Sequence, residues 1–410
     1  MIKVLKFGGT SVGSAANMKK VAEIVRREQA RITILSAMSG TTDSLVRISR
    51  AAASGDRNAI EEQLAMLTDK YTRCIEELLR ERKQQALARM NATFGLIRDE
   101  AAAFEEYESE RKIIAQGELL TSAIFTAYLQ ETGLKAECLY SPDFMVKDPG
   151  EKVDTERIGR ALARVAGDDS TFFVAQGFIC SDSQGRIDNL GRGGSDYSAA
   201  LMGAAVEAAE VQIWTDIDGM HNNDPRFVDN TRPIRTMSFD EAAELAYFGA
   251  KILHPATIQP CKDHGIAVLL KNTMDPEAPG TTISNRDDDT KSFHAVAAKD
   301  GITVIRIHSA RMLMAYGFLR KVFEIFEQYR TPIDMITTSE VAVSLTVDND
   351  SHIDEIVRDL SALGSIEIER GNSIVCVVGR MEHGDAGLAA RVFECVRGVP
   401  TEPATAAWPY

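Results

Sequence analysis

The apolar positions of this chain fall into short runs that end in glycine and hydroxyl residues, and most runs are followed by a helical repeat. Ile2 to Phe7 reads as a strand and Gly8-Gly9-Thr10-Ser11 as a turn. A helix follows from about Ser14 to Gln29, because Met18, Val21, Ile24 and Val25 share one face and Ser14 suits an N-cap. The unit then repeats: Arg31 to Leu35 is a strand, Ser36 to Asp43 a hydroxyl- and glycine-rich turn, and a helix starts at about Ser44. A long helical region covers about Asp56 to Leu129, rich in Glu, Arg, Leu and Ala, with most charges expected on a solvated face. Gln116-Gly117-Glu118 interrupts its pattern.

Leu134 to Leu139 and Thr171 to Ala175 read as strands around a helix at about Thr155 to Val165. A loop from Gly177 to Asp188 leads into Asn189-Leu190-Gly191-Arg192-Gly193-Gly194-Ser195-Asp196-Tyr197, and a small-residue helix follows over Ser198 to Val206. Val211 to Asp216 is a strand feeding a loop dense in turn formers, Ile217 to Arg226. A helix over Phe239 to Phe248, a strand over Ala267 to Leu270 and polar turns from Met274 to Lys291 close this half, with Asn285 to Asp289 as a linker. Strands that end in turns and lead to helices predict an open α/β sheet with ligands beyond the strands' carboxyl ends.

From about Phe293 the order changes. Thr303 to His308 is a strand, Gly317 to Gln328 a helix, Ile333 to Thr337 and Val341 to Val347 strands, Ile353 to Leu363 a helix, and Ser365 to Glu369 and Ile374 to Val378 strands. This βαββαβ order predicts a ferredoxin-like sandwich. A helix at about Ala386 to Val396 starts the pattern again, before a tail with three prolines.

With 410 residues the chain has room for roughly two or three domains. The 44% apolar and 26% charged composition is that of a soluble globular protein. A net charge of −14 argues against nucleic acid or an anionic membrane as partner, but a local positive site still admits an anionic substrate. The six cysteines are scattered without metal or disulfide spacing, so reduced thiols and a cytoplasmic setting are expected, with no metal site of side chains. The N-terminus lacks a signal-peptide pattern, and no apolar run approaches the roughly 18 residues of a membrane span.

Several stretches carry candidate chemistry. Lys6 stands at the carboxyl end of the first strand, where its ammonium can meet phosphate oxygens cradled by the backbone of Gly8 and Gly9. The alternative is a surface lysine beside a turn. Gly191, Gly193 and Gly194 around Arg192 let backbone approach an anion at a helix start, against the alternative of an ordinary tight turn. Glu118 could hold a ligand ammonium or lie on a helix surface. The Asp, His and Arg of the 217–226 loop suit a ribose and phosphates; an EF-hand is excluded by its spacing. Lys251 is a second candidate nucleotide contact or a cation at a helix C-terminus.

Together, Lys6-Phe7-Gly8-Gly9-Thr10-Ser11, Gly191-Arg192-Gly193-Gly194-Ser195-Asp196, Trp214-Thr215-Asp216-Ile217-Asp218-Gly219, Asp224-Pro225-Arg226 and Gly249-Ala250-Lys251-Ile252-Leu253-His254-Pro255 resemble, in order, the motifs of aspartate kinases of the amino acid kinase superfamily. The resemblance spans nearly the whole chain. It implies a three-layer α/β/α open sheet over 1–290, a ferredoxin-like ACT regulatory domain over 291–380, and the start of an incomplete second ACT unit with an irregular tail over 381–410. It implies ATP-dependent phosphorylation of the L-aspartate β-carboxylate to 4-phospho-L-aspartate, with magnesium, as the first step toward lysine, threonine, methionine and diaminopimelate. By position it puts Lys6, Phe7, Gly8, Gly9, Thr215, Asp216, His221, Arg226, Lys251 and Ile252 on ATP. Ser36, Thr42, Glu118, Arg192 and Ser195 fall on aspartate, and Lys6 and Asp196 are the catalytic pair. The family often has tyrosine at the place of His221 and usually threonine at that of Asp188, where a carboxylate is expected to weaken anion binding. Met312, Gly317, Phe318, Leu319, Asp334, Ser339 and Glu340 resemble the lysine-binding pattern of lysine-sensitive members, with Ala315 at a position that is often serine. A homodimer through ACT domains is expected, set against a shortened second unit. No homoserine dehydrogenase region follows, so a monofunctional enzyme is expected.

The physics agrees with such a reaction. A carboxylate nucleophile is already ionised at neutral pH and needs no general base, so the work is to hold two anions in line and neutralise charge. Asp196 is then an organiser of hydrogen bonds, and Glu118 beside Arg192 favours a substrate with both amine and carboxylate. An amino-acid-sensing subunit with an idle kinase site, or a sister amino acid kinase, are the alternatives.

Overall fold

The computed structural model describes residues 1–150, 152–167, 170–248, 253, 257–285, 293–312, 316–379 and 386–398. The chain divides into two compact units, Met1–Asp289 and Thr290–Tyr410, with the boundary at the end of the expected linker.

The first unit is built on an eight-stranded sheet. Its strands are β1 (Lys3–Phe7), β2 (Ile32–Leu35), β3 (Ala136–Cys138), β4 (Phe172–Gln176), β7 (Glu210–Thr215), β8 (Thr236–Ser238), β9 (Ala267–Asn272) and β10 (Thr281–Ser284). Their order is β3-β4-β2-β1-β7-β9-β10-β8, parallel from β3 to β9, with β10 antiparallel to β9. After β1 the chain adds strands on one side, then returns to place β7 on the other. The crevice between β1 and β7 is therefore the topological switch point, where open parallel sheets bind ligands.

Alternation along β1 decides which side chains serve which layer. Leu5 and Phe7 join a core with α1 (Ala15–Glu28), α2 (Thr41–Ser54), α3 (Arg57–Leu78), α4 (Lys83–Ala102) and α5 (Glu106–Glu131). Val4 and Lys6 face the other side, where α7 (Gly194–Ala205) packs on β1, β2 and β7. Burial on both faces makes the three layers α/β/α, as expected. Ser14 caps α1 by accepting from the Asn17 N–H at 3.2 Å, also as expected. Helices α6 (Thr155–Gly167), α8 (Phe239–Phe248) and α9 (Gln259–Asp263) complete the unit's α-helices among the described residues.

Three expectations need correction. Helix α2 starts at Thr41, not Ser44, because left-handed Gly40 (φ 74°) already turns the chain into its first turn. The region around Gly117 does not interrupt a helix; α5 runs through it unbroken. The 177–188 loop contains a hairpin of β5 (Ile179–Ser181) and β6 (Ile187–Asn189), too short to show an alternating pattern, and β8 and β10 are likewise short strands within polar sequence.

The second unit has a four-stranded antiparallel sheet, β12-β13-β11-β14, from β11 (Ala295–His308), β12 (Met335–Thr338), β13 (Ala342–Val347) and β14 (Ser365–Val378). Helices α10 (Phe318–Gln328) and α11 (Ile353–Leu360) bury Phe318, Val322, Phe326, Ile353, Ile356 and Leu360 against it. This is the expected ferredoxin-like arrangement. The two strands expected after α11 are one strand, β14. It pairs with β11 on both sides of irregularities at Asp300 to Val304, where Gly301 and Gly371 (φ 77° and 78°) let the ladder continue. Helix α12 (Ala386–Cys395) follows, and the tail beyond 398 lies outside the described residues.

Candidate active site

The carboxyl ends of β1, β2, β4 and β7 meet the start of α7. Lys6 Nζ contacts Asp196 Oδ1 at 2.6 Å, and their side chains are only 12% and 11% exposed. Asp196 reaches the strand because α7 begins at Gly194, so Ser195 and Asp196 lie in its first turn. Two glycines make that approach feasible. A Cβ on Gly177, just past β4, would lie 2.7 Å from Ser195 Oγ, and one on Gly194 would lie 2.9 Å from Phe178 Cδ2. The first-turn N–H groups of α7 have no intrahelical partner and add positive potential beside Lys6.

The glycine turn after β1 is equally constrained. Gly8 donates to Trp214 O at 3.2 Å, which closes the β1–β7 crevice. A Cβ on Gly9 would lie 2.8 Å from Ala37 O. The Ser36–Thr41 segment is packed under this turn: Ser39 N donates to Gly9 O at 3.0 Å, and Ser36 Oγ to Ser195 Oγ at 2.9 Å. From the opposite side α5 approaches. Glu118 Oε1 accepts from Ala37 N at 3.2 Å, and Thr121 Oγ1 accepts from Met38 N at 3.2 Å. Glu118 is only 3% exposed and its Oε2 has no hydrogen-bond partner. Burial pushes its carboxyl up to about 7, against the partial offset of the Ala37 N–H. The helix-surface alternative is thereby excluded. A buried carboxylate with one bare oxygen is suited to an incoming cation.

Gly117 makes this approach possible. A Cβ there would lie 2.8 Å from Ala37 Cβ and 3.2 Å from Thr41 Cγ2. Gly→Ala inside an exposed helix stabilises by about 1 kcal/mol. Here the sign reverses: we expect Gly117→Ala to destabilise by about 1–3 kcal/mol through overpacking, read as a lower urea midpoint.

The remaining expected residues divide. Thr42 lies half-buried in the first turn of α2, beside Thr41. Thr215 ends β7 at the crevice, and its hydroxyl donates to Asp216 Oδ1, the next residue, at 3.1 Å. His221 is held by Asp218 at 2.6 Å and Thr231 at 2.9 Å. Arg226 is exposed and chelated by Asp224. Arg192 is exposed, with no ion-pair partner among the described residues. Phe7 turns its ring into the core against Trp214, centroids 5.8 Å apart, so only its backbone borders the site. Lys251 and Ile252 lie outside the described residues.

Asp188 corrects an expectation. It does not oppose an anion, because Arg111 Nε at 2.5 Å and Lys147 Nζ at 2.8 Å neutralise it. Against the upward pull of burial, these partners hold its carboxyl below the usual range. Residues that the sequence reading passed over include Thr121, Tyr71 and Lys70; Thr121, one helical turn after Glu118, carried a usable signal.

In the second unit, Gly317 (φ 78°) opens α10, followed by buried Phe318 and by Leu319, which is partly exposed. Met312 ends a short 3-10 helix. The Asp334 side chain is fully shielded and Lys299 Nζ lies 3.3 Å from its Oδ1. Ser339 and Glu340 form the exposed β12–β13 turn. Ala315 lies outside the described residues.

Residues 1–272 match the model of the amino acid kinase family. The lysine-sensitive aspartokinase 3 of Escherichia coli (strain K12) is 34% identical over 96% of this chain and 90% of its own length. The chloroplastic aspartokinase 1 of Arabidopsis thaliana is 34% identical over 93% of this chain and 71% of its own length. Among solved structures, E. coli aspartokinase III in complex with aspartate and ADP (R-state) superposes with a TM-score of 0.84 at 32% identity, covering 97% of this chain and 91% of that one. The same enzyme with lysine and aspartate (T-state) gives 0.79 at 32% identity, covering 98% and 92%.

Proposed function

The chain belongs to the amino acid kinase family, among its aspartokinases, and from that premise we infer that it transfers the γ-phosphoryl group of ATP to the β-carboxylate of L-aspartate. The observation that carries this reading is the pairing of Lys6 with Asp196 at the β1–β7 crevice, within one strap of chain from the bare oxygen of Glu118.

Each residue then has a task. The glycine turn and the α7 N-terminus cradle the nucleotide's phosphates. Lys6 Nζ, pinned by Asp196, lies near the place of Gly8's missing Cβ (3.8 Å) and meets the charge on the moving phosphoryl group. Asp196 orients Lys6 and takes no proton, since the nucleophile is already ionised. Glu118 receives the substrate ammonium, and exposed Arg192 with Ser195 takes a carboxylate. Thr215, Asp216, His221 and Arg226 border the nucleotide. Magnesium neutralises phosphate charge when bound; it needs only one or two protein carboxylates, and Asp196 and Asp216 at the crevice are of that kind.

Regulation by lysine is part of the same reading. The shielded Asp334 carboxylate suits an amine, and Lys299 shows that it accepts one. We assign 291–380 as the ACT domain, 381–410 as the start of a second unit, a homodimer through these units as the assembly, and the cytoplasm as the setting. Among the described residues no helix is long and apolar enough to cross a membrane.

The test is a coupled ADP-release assay over a panel of aspartate, glutamate and N-acetylglutamate, with and without lysine. Turnover with aspartate alone, reduced by lysine, is expected. Turnover that is strongest with another acceptor, or nucleotide binding without turnover, would remove the assignment.

A further inference from the structure

The Ser36–Thr41 segment is gripped from a third direction, by helix α3. Lys70 Nζ donates to Ser39 O and approaches Thr41 Oγ1 at 3.4 Å. Its neighbour Tyr71 is completely buried, and its hydroxyl lies 3.2 Å from Thr41 Oγ1 and 3.3 Å from Thr121 Oγ1. Thr121 in turn accepts from Met38 N. A continuous polar path therefore runs from α3 through Thr41, Tyr71 and Thr121 to the backbone next to the Glu118 contact. A second path is shorter: Lys70 holds the carbonyl of Ser39, and the N–H of the same residue donates to Gly9 O in the phosphate turn.

Lys70 is unusual in what it lacks. It is half-buried, yet it has no carboxylate partner among the described residues and touches only neutral oxygens. Burying an ammonium against neutral groups costs stability that an ion pair would return. A lysine serving only to anchor α3 would do better facing the acidic solvent side of a chain with net charge −14. Its place is instead over a loop that contacts both the glycine turn and the Glu118 side of the site.

We propose that Lys70, with Tyr71, is a positioning residue for the carboxylate substrate: it sets the Ser39–Thr42 turn against the glycine turn. This rests on the assignment of Thr42 and Glu118 to the substrate seat. Neither Lys70 nor Tyr71 contacts the Lys6–Asp196 pair in the structure, so both act through the turn. The consequence is selective. Loosening the turn moves the substrate's seat while the nucleotide's phosphates keep Lys6 and the α7 N-terminus.

The experiment measures KM for aspartate and for ATP, kcat, nucleotide affinity by calorimetry and the melting midpoint, in wild type, Lys70→Met, Lys70→Arg and Tyr71→Phe. Tyr71→Phe keeps the ring against Phe94 (centroids 6.0 Å) and removes only the hydroxyl, so it serves if Lys70→Met folds poorly. Lys70→Met is expected to raise the aspartate KM roughly 10-fold, the loss of one hydrogen bond from a charged donor, with nucleotide affinity held. Tyr71→Phe should shift it in the same direction, and Lys70→Arg should recover part of the loss. An unchanged aspartate KM in both Lys70→Met and Tyr71→Phe overturns the proposal alone. So does a parallel rise in both KM values together with a fall in the melting midpoint, which marks general loosening. A wild-type protein without aspartate-dependent turnover overturns the parent assignment and this one with it.

Discussion

Lys6→Ala is expected to abolish turnover while leaving most of the nucleotide affinity. The loss should be roughly 10³-fold or more in kcat, the scale of removing one preorganised charge from a transferring phosphoryl group. The nucleotide keeps the glycine turn, the α7 N-terminus and the crevice residues at the end of β7, so its binding falls much less. The substitution has a second effect. Asp196 is 11% exposed and would lose the partner 2.6 Å away, leaving a nearly buried carboxylate uncompensated. Stability should therefore drop as well, by about 2–3 kcal/mol after discounting for the residual solvent contact. Single-turnover ADP formation and a calorimetric nucleotide titration on the same preparation check both statements. A variant with near-normal rate would refute the role given to Lys6.

Glu118→Gln is expected to separate binding from stability. In the wild type, burial holds the carboxyl at about 7 against an ordinary 4.5. Below both values the group is protonated in the folded and unfolded chain, and pH has no effect through it. Between them the unfolded chain ionises while the folded chain keeps its proton, so the folded state loses ground as pH rises. Above about 7 the loss is complete, at about 3 kcal/mol. The glutamine variant has no such titration. Its stability relative to wild type should therefore climb from pH 5 to pH 8 by about that amount, whatever its starting value, read from urea midpoints at the two pH values.

Function moves the other way. An ammonium seated on Glu118 needs the ionised form, so aspartate binding by the wild type should release a proton and tighten as pH rises through about 7. The variant should bind aspartate roughly 100-fold more weakly, the cost of a buried cation without its anion. A stability difference that is flat with pH, with aspartate affinity unchanged, would dismiss the role of Glu118.

Much of this molecule was legible in its residues. The strand–glycine–helix units of the first half and the βαββαβ order of the second both stand in the structure, because apolar periods of two and 3.6 are local properties. Elements that lack those periods were missed. β5, β6, β8 and β10 are three or four residues long, too short to show a period, and exist through their pairing: β5 with β6 in a hairpin, and β8 with β10 more than 40 residues away. The continuous β11–β14 ladder was hidden by turn-forming residues around Gly301 and Gly371 that act as irregularities inside strands. Helix α5 was broken on paper by Gly117, a glycine whose reason is the close approach of the Ala37, Thr41 and Leu45 side chains rather than a turn.

By itself the sequence determined the fold class, the family motifs and the short list of charged residues near glycine turns. Only the tertiary structure decided what those charges are. Lys6 points toward α7 because alternation on β1 and the order of the sheet put it there, and Asp196 meets it because α7 starts two residues earlier. Glu118 is buried with a bare oxygen, and Asp188 is neutralised by Arg111 and Lys147 instead of opposing an anion. The physical reason is the same in each case. Charge and hydrogen-bonding type are written into a residue, but its solvent exposure and its partners are set by which distant segments pack against it.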